Sequence, residues 1–182
     1  MCTISELSDD ILVSIANWNP AVPGWPDFRD DDSPKPYLKL IESLESLDGL
    51  SLLHNNGHEY SDTFFGFFLH HPTRTDRFDD WGIYVALSRF APIGIYGKEH
   101  RKWGPTGGHH GFPNLNNVYV VSGADWQPVA DSVRKLMDDH RVYLPTKEEM
   151  ERPLNFELPK LFRDNANCGH SVNFDVLFND LY

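Results

Sequence analysis

Apolar residues recur at two different periods along this chain, and the change of period organises it. Near the start, Ile4, Leu7, Ile11, Leu12 and Ile15 follow helical spacing. Thr3 and Glu6 match a capping box, in which hydroxyl and carboxylate each satisfy an orphan amide, so a first helix is predicted that ends before Pro20. Prolines at 20, 23, 26, 34 and 36 remove backbone donors and predict a loop, with Trp25 and Phe28 as its anchors. Ser33 as N-cap and Pro34 in the first turn open a second helix. Its stripe is Tyr37, Leu40, Ile41, Leu44 and Leu47, and Gly49 suits its C-terminal cap.

Beyond residue 60 the pattern turns to strand. Residues 62–70 are aromatic, residues 81–90 hold Ile83, Tyr84, Val85 and Leu87, and residues 92–98 alternate. Residues 117–122 are another β-type run. Ala91-Pro92 permits either a hairpin or one bent strand. A third helix is predicted with Asp125 as cap, Pro128 in its first turn, and Val129, Val133, Leu136 and Met137 on one face. Residues 142–144 read as a short strand. Thr146 and Glu149 form a second capping box before a short helix that Pro153 ends. Alternation of Val172, Phe174, Val176 and Phe178 predicts a last strand. The expected fold is a single α+β domain over 1–182, with a central, mostly antiparallel sheet flanked by about three helices. Its N-terminal part (1–50) is acidic and helical, and its later part (60–182) forms the sheet.

Composition adds constraints. With 182 residues, 40% of them hydrophobic and 13% aromatic, the chain can bury a full core. The formal net charge of −11 disfavours phosphate backbones and anionic lipid, so neither nucleic acid nor membrane is an expected partner. The charge is uneven: residues 1–48 hold ten acids against three bases, which is −7 of the total. The longest apolar stretch, 64–69, is too short to span a bilayer. Two cysteines, Cys2 and Cys168, demand no disulfide, and no basic segment followed by an apolar run opens the chain. A reducing, cytoplasmic location is the expectation.

The sequence offers few sets of residues for chemistry. His54 and His58 are four apart, but Asn55, Asn56 and Gly57 make that segment a turn, so helical geometry does not apply. The pairs His70-His71 and His109-His110 would point to opposite faces of a strand. One imidazole from each pair with an acid such as Asp62 or Asp79 is the one metal set the sequence suggests; ordinary hydrogen-bonded histidines are the commoner outcome. Residues 104–111 are glycine-dense but lack the Lys-Ser or Lys-Thr of a phosphate loop, and the basic cluster Lys98, His100, Arg101 and Lys102 beside them reads as a solvated run. No Gly-x-Ser-x-Gly occurs, and Cys168 with His140 or His170 has nothing local to favour a thiol–imidazole pair. No cofactor and no catalytic residue are expected. Most distinctive is the acidic run Asp30, Asp31 and Asp32, with Trp25 and Phe28 beside it. It reads either as a solvated loop or as an anionic docking surface for a basic protein.

Two segments carry a resemblance. Residues 83–94 (IYVALSRFAPIG) and 174–180 (FDVLFND) resemble a strand–bend–strand and a C-terminal strand of small bacterial proteins, several of which are immunity proteins of polymorphic toxin systems. The resemblance implies function by binding, with no catalytic residue to carry over. The leading expectation is therefore a non-enzymatic protein-binding domain whose partner contacts are Trp25, Phe28, Asp30, Asp31 and Asp32. A small metalloenzyme built on His70, His71, His109 and His110 is the alternative, and a structural or adaptor domain is the third.

Overall fold

Ile83, Tyr84, Val85, Ala86 and Leu87 are each at most 4% exposed, so one strand is buried on both faces. Such a strand needs a layer above and a layer below it. The computed structural model describes residues 4–27, 34–54, 63–72, 78–104, 107–109, 114–159 and 172–178, and it supplies both layers. The elements are α1 (Asp9–Ala16), a 3-10 turn (Lys35–Tyr37), α2 (Leu38–Glu45), β1 (Ser51–His54), β2 (Phe64–His70), β3 (Phe78–Ser88), β4 (Gly94–Gly104), β5 (Gly107–His109), α3 (Gln127–Asp139), α4 (Lys147–Glu151) and α5 (Asn173–Leu177). The strands form one antiparallel meander in chain order. The chain is thus the α+β domain that its patterning predicts, with five α-helices among the described residues.

Strand alternation sorts the core into two halves. Phe64, Phe68, Tyr84, Ala86 and Ile95 share the first face, covered by Leu12 and Ile15 of α1, Met150 of α4 and Phe174, Val176 and Leu177 of α5. Phe67, Leu69, Ile83, Val85, Leu87 and Tyr96 share the second, covered by Leu40, Ile41 and Leu44 of α2 and Ala130, Val133 and Met137 of α3. The register Phe68↔Tyr84 and Val85↔Tyr96 keeps each set together. The bend at Ala91-Pro92 is a hairpin, because β3 and β4 pair antiparallel from Leu87↔Gly94 outward.

Several local expectations are corrected. Helix α1 starts at Asp9 behind Ser8, whose hydroxyl accepts from the Ile11 amide at 3.4 Å. Ile4 and Leu7 lie ahead of it yet are buried; Thr3 is outside the described residues. Helix α3 has Trp126 at its N-cap with no side-chain capping bond, so Asp125 does not cap it. The 117–122 run is a turn, not a strand: the Asn117 and Val118 amides both return to the Asn114 carbonyl, and Tyr119 has φ 59°. It crosses the edge of β4 with one bridge, Gly97↔Val118. Residues 142–144 likewise contribute one bridge, Ile93↔Tyr143, instead of a strand. The tail 173–177 is helical. Phe174, Leu177 and Phe178 fall at i, i+3 and i+4 and face one core, and the Asp175 carboxylate accepts from the Val172 amide at 3.0 Å.

The second capping box forms as read. The Glu149 amide donates to the Thr146 hydroxyl at 3.1 Å, and the Thr146 amide to Glu149 Oε2 at 2.7 Å. Glu149 also ties distant parts together. Its Oε1 accepts from the Tyr143 hydroxyl at 2.6 Å and the Leu7 amide at 3.2 Å, while its carbonyl accepts from Asn173 at 2.8 Å. Burial pushes this carboxyl up, but the bonds from Tyr143, the Thr146 and Leu7 amides and the Thr146 hydroxyl outweigh it and hold it below the usual range. A depressed folded pKa stabilises above the unfolded value of about 4.3, and that stabilisation is lost as pH falls through the folded pKa. Glu149→Gln is therefore expected to cost about 1 kcal/mol at pH 7, since it removes charge-assisted bonds that solvent partly screens. Urea melts at pH 7 and pH 3 test this: the difference between wild type and variant should shrink at the lower pH.

Candidate partner-binding surface

Two aromatic residues flank the acidic run 30–32 in the chain, Trp25 before it and Tyr37 after it, and both are anchored on the same hairpin turn. Trp25 is 7% exposed, and its indole N–H donates to the Arg89 carbonyl at 2.8 Å. Tyr37 is 3% exposed, and its hydroxyl lies 2.8 Å from the Ser88 carbonyl and 2.6 Å from that of Ala91. Burial raises the Tyr37 hydroxyl well above its ordinary pKa, so it stays a donor. The two rings meet edge to face at 5.5 Å, and Tyr37 meets Phe65 at 6.5 Å. Nearby, the Arg89 guanidinium lies 4.9 Å over the Phe65 ring, and the Ala21 amide donates to the Phe90 carbonyl at 2.8 Å. The β3–β4 turn thus supplies four carbonyls, Ser88, Arg89, Phe90 and Ala91, to the segments on either side of the acidic run.

Trp25 is accordingly a core residue that anchors the loop from within, not an exposed contact. Phe28, Asp30, Asp31 and Asp32 lie outside the described residues. Elsewhere in the N-terminal part, Glu6, Asp9, Asp10, Glu42, Glu45 and Asp48 are all exposed.

Among the described residues the histidines do not converge on one site. His70 is 5% exposed on the first sheet face, stacked on Phe68, with Nδ1 2.7 Å from the His71 carbonyl. That bond places its proton on Nδ1, and burial lowers its pKa, so the ring is neutral near pH 7. His71 instead packs on Trp126 at 4.9 Å, with Nδ1 3.3 Å from the Gly49 carbonyl. His109 lies on β5 opposite Lys102, and His110, Asp62, Cys2 and Cys168 are outside the described residues. Among the described residues no three His, Cys, Asp or Glu side chains are grouped to hold a metal ion. One serine does meet an imidazole, which sequence reading missed: Ser43 Oγ lies 3.3 Å from His140 Nε2 across α2 and α3. The Ser43 hydroxyl donates to the Lys39 carbonyl at 2.8 Å, so its proton is not held by the imidazole. This pair joins two helices and does not activate a nucleophile. Among the described residues no helix is long and apolar enough to cross a membrane.

No protein-family model matches this chain, and no curated protein or solved structure matches it.

Proposed function

We propose that this chain is a non-enzymatic protein-binding domain that holds a basic partner at its acidic N-terminal segment. In the cytoplasm it would act as an immunity-type protein that neutralises a cognate toxin. The observation that supports this reading most is the shared anchorage of the acidic run. Residues 25 and 37, on either side of it in the chain, are both hydrogen-bonded to the β3–β4 turn. A short loop with fixed ends loses less conformational entropy on docking than a free tail. Carboxylates gathered on it accelerate encounter with a basic surface.

The test is calorimetric titration, at rising NaCl, with the product of the adjacent reading frame where that product is basic. Affinity should fall with salt as the surface charges are screened. Changing Asp30, Asp31 and Asp32 together to Asn should weaken binding at least about tenfold, equivalent to about 1.4 kcal/mol, with an unchanged melting temperature. Salt-independent binding, or full affinity in the triple variant, rejects the proposal.

A further inference from the structure

Among the described residues, the sheet is covered along the outer side of β4 and left uncovered along the outer side of β1. In an antiparallel sheet, alternate residues turn their N–H and C=O toward opposite neighbours. The even-numbered residues of β4 face away from β3, and most of them find partners. The Gly94 amide donates to the Tyr143 carbonyl at 3.0 Å, the Tyr96 carbonyl accepts from the Tyr119 amide at 2.8 Å, and the Lys98 amide donates to the Val120 carbonyl at 3.1 Å. Strand β5 covers 102–104. The Ser88 amide bonds the Ile93 carbonyl at 2.8 Å and the Arg89 amide bonds the Thr63 carbonyl at 2.9 Å, which carries the same alternation across the sheet. It turns Ser51 and Leu53 toward β2 and the backbone of Leu52 and His54 outward. Among the described residues nothing bonds to that outer backbone, and Leu53 and His54 are exposed. The two sides of this edge differ in chemistry. The side chains of Leu52 and His54 lie on the second sheet face, beside α2: the His54 ring meets Phe67 at 5.4 Å, and its Nε2 lies 3.1 Å from Glu45 Oε1. Over residues 38–54, Glu42, Glu45 and Asp48 stand against Lys39 alone, a net −2 (1 − 3). On the first face Leu53, opposite Phe68, is 36% exposed.

We propose that the outer edge of β1 takes an added antiparallel strand from the partner, an extended segment with Lys or Arg at every second position and apolar residues between. The inference rests on the reading of this chain as a binder of a basic protein. An uncovered edge is a template for pairing, in which main-chain bonds supply affinity and alternate side chains supply specificity. Residues that exchange bonds across an antiparallel pair share a face. The partner residues bonded to Leu52 and His54 therefore project beside α2, toward Glu42, Glu45 and Asp48, and these are the basic positions. The residues between them project beside Leu53, and these are the apolar ones. A second copy of this chain is the poorer occupant. Edge-to-edge pairing would set its α2 on the same face and bring its own three acids against these, and like charges at close range repel.

NMR titration of the isotope-labelled full chain with a six-residue peptide alternating Lys and Val tests it. Amide signals at 51–54 should shift, exchange at Leu52 and His54 should slow, and affinity should fall with NaCl. N-methylation of the Lys residues should weaken binding at least about tenfold, because it removes the donors that face β1, whereas N-methylation of the Val residues should be tolerated. The Glu42→Gln/Glu45→Gln variant should bind at least about threefold more weakly. Because Glu45 also bonds His54, Leu53→Lys is the second variant and should weaken binding likewise, with circular dichroism melts establishing that each is folded. Unmoved signals at 51–54, equal loss from methylation at Lys and at Val, or unchanged affinity in both folded variants each overturns the proposal. So does protection of Leu52 and His54 that grows with the concentration of the chain alone, which assigns the edge to a second copy. The peptide is free of the partner, so its failure leaves docking at the acidic run standing, and failure of the partner titration leaves a peptide-binding edge in place.

Discussion

Gly82→Ala is expected to destabilise the domain by about 3 kcal/mol, at the upper end of the cost of overpacking a core. A Cβ at this position would stand 2.3 Å from the Leu69 carbonyl oxygen and 2.5 Å from the Phe68 ring. Both approaches are far inside van der Waals contact. The ring can rotate away, but the carbonyl belongs to β2, which pairs with β3 from Phe64↔Ser88 to Leu69↔Ile83. Relief therefore requires separating two central strands at one end of their ladder. Urea denaturation of the single variant gives the loss directly, and Phe68→Leu/Gly82→Ala isolates its cause. The double variant should recover little beyond the cost of the leucine, because the backbone obstacle stays. Full recovery would assign the whole effect to the ring. Gly97→Ala should behave similarly but locally. Its Cβ would meet the Asn117 carbonyl, which belongs to a surface turn and not to a strand. Loss there should appear as faster amide exchange at residues 117–120 before the global melt.

These glycines mark where sequence and structure part company. The strands of the hairpin were legible because both layers press on them: residues 83–87 are apolar without a break, as a doubly buried strand requires. The Thr146–Glu149 box was legible because its chemistry is complete within four residues. The tail helix was not. Val172, Phe174, Val176 and Phe178 alternate, but the added burial of Leu177 and the Asp175 cap favour a single helical turn wedged against α1 and α4. The β-branched run at 118–121 lost to Asn114, whose side chain and carbonyl capture the amides of Asn116, Asn117 and Val118. Strand β1 went unseen because four edge residues carry little pattern. For the candidate surface, the acidic run was plain in the sequence. Its anchorage was not, because the bonds that provide it join residues 64, 51 and 54 positions apart. Trp25 looked like an exposed contact for the same reason: nothing local shows that Arg89 will accept from its indole.

Trp25→Ala should therefore have two separable effects. The first is a loss of about 4 kcal/mol of stability, the ordinary cost of emptying a buried tryptophan site. Trp25 is 7% exposed, belongs to the second core half with Leu40 and Val85, and meets the Tyr37 ring edge to face. The second effect concerns binding. With the indole gone, the chain ahead of the acidic run loses its bond to the turn, so on the proposed binding role more ordering falls on the docking step. Tyr37→Phe distinguishes the two. It keeps the ring and its edge contacts but removes the hydroxyl shared by the Ser88 and Ala91 carbonyls, at a cost of about 1–3 kcal/mol for buried groups left unpaired. If the anchored base matters for binding, both variants should lose affinity for the basic partner under conditions where each is fully folded. Their association should also become less sensitive to salt than that of wild type, as charges spread over a looser loop steer less well. If both bind as tightly as wild type, the aromatic pair serves only the core, and the acidic run functions without a fixed base.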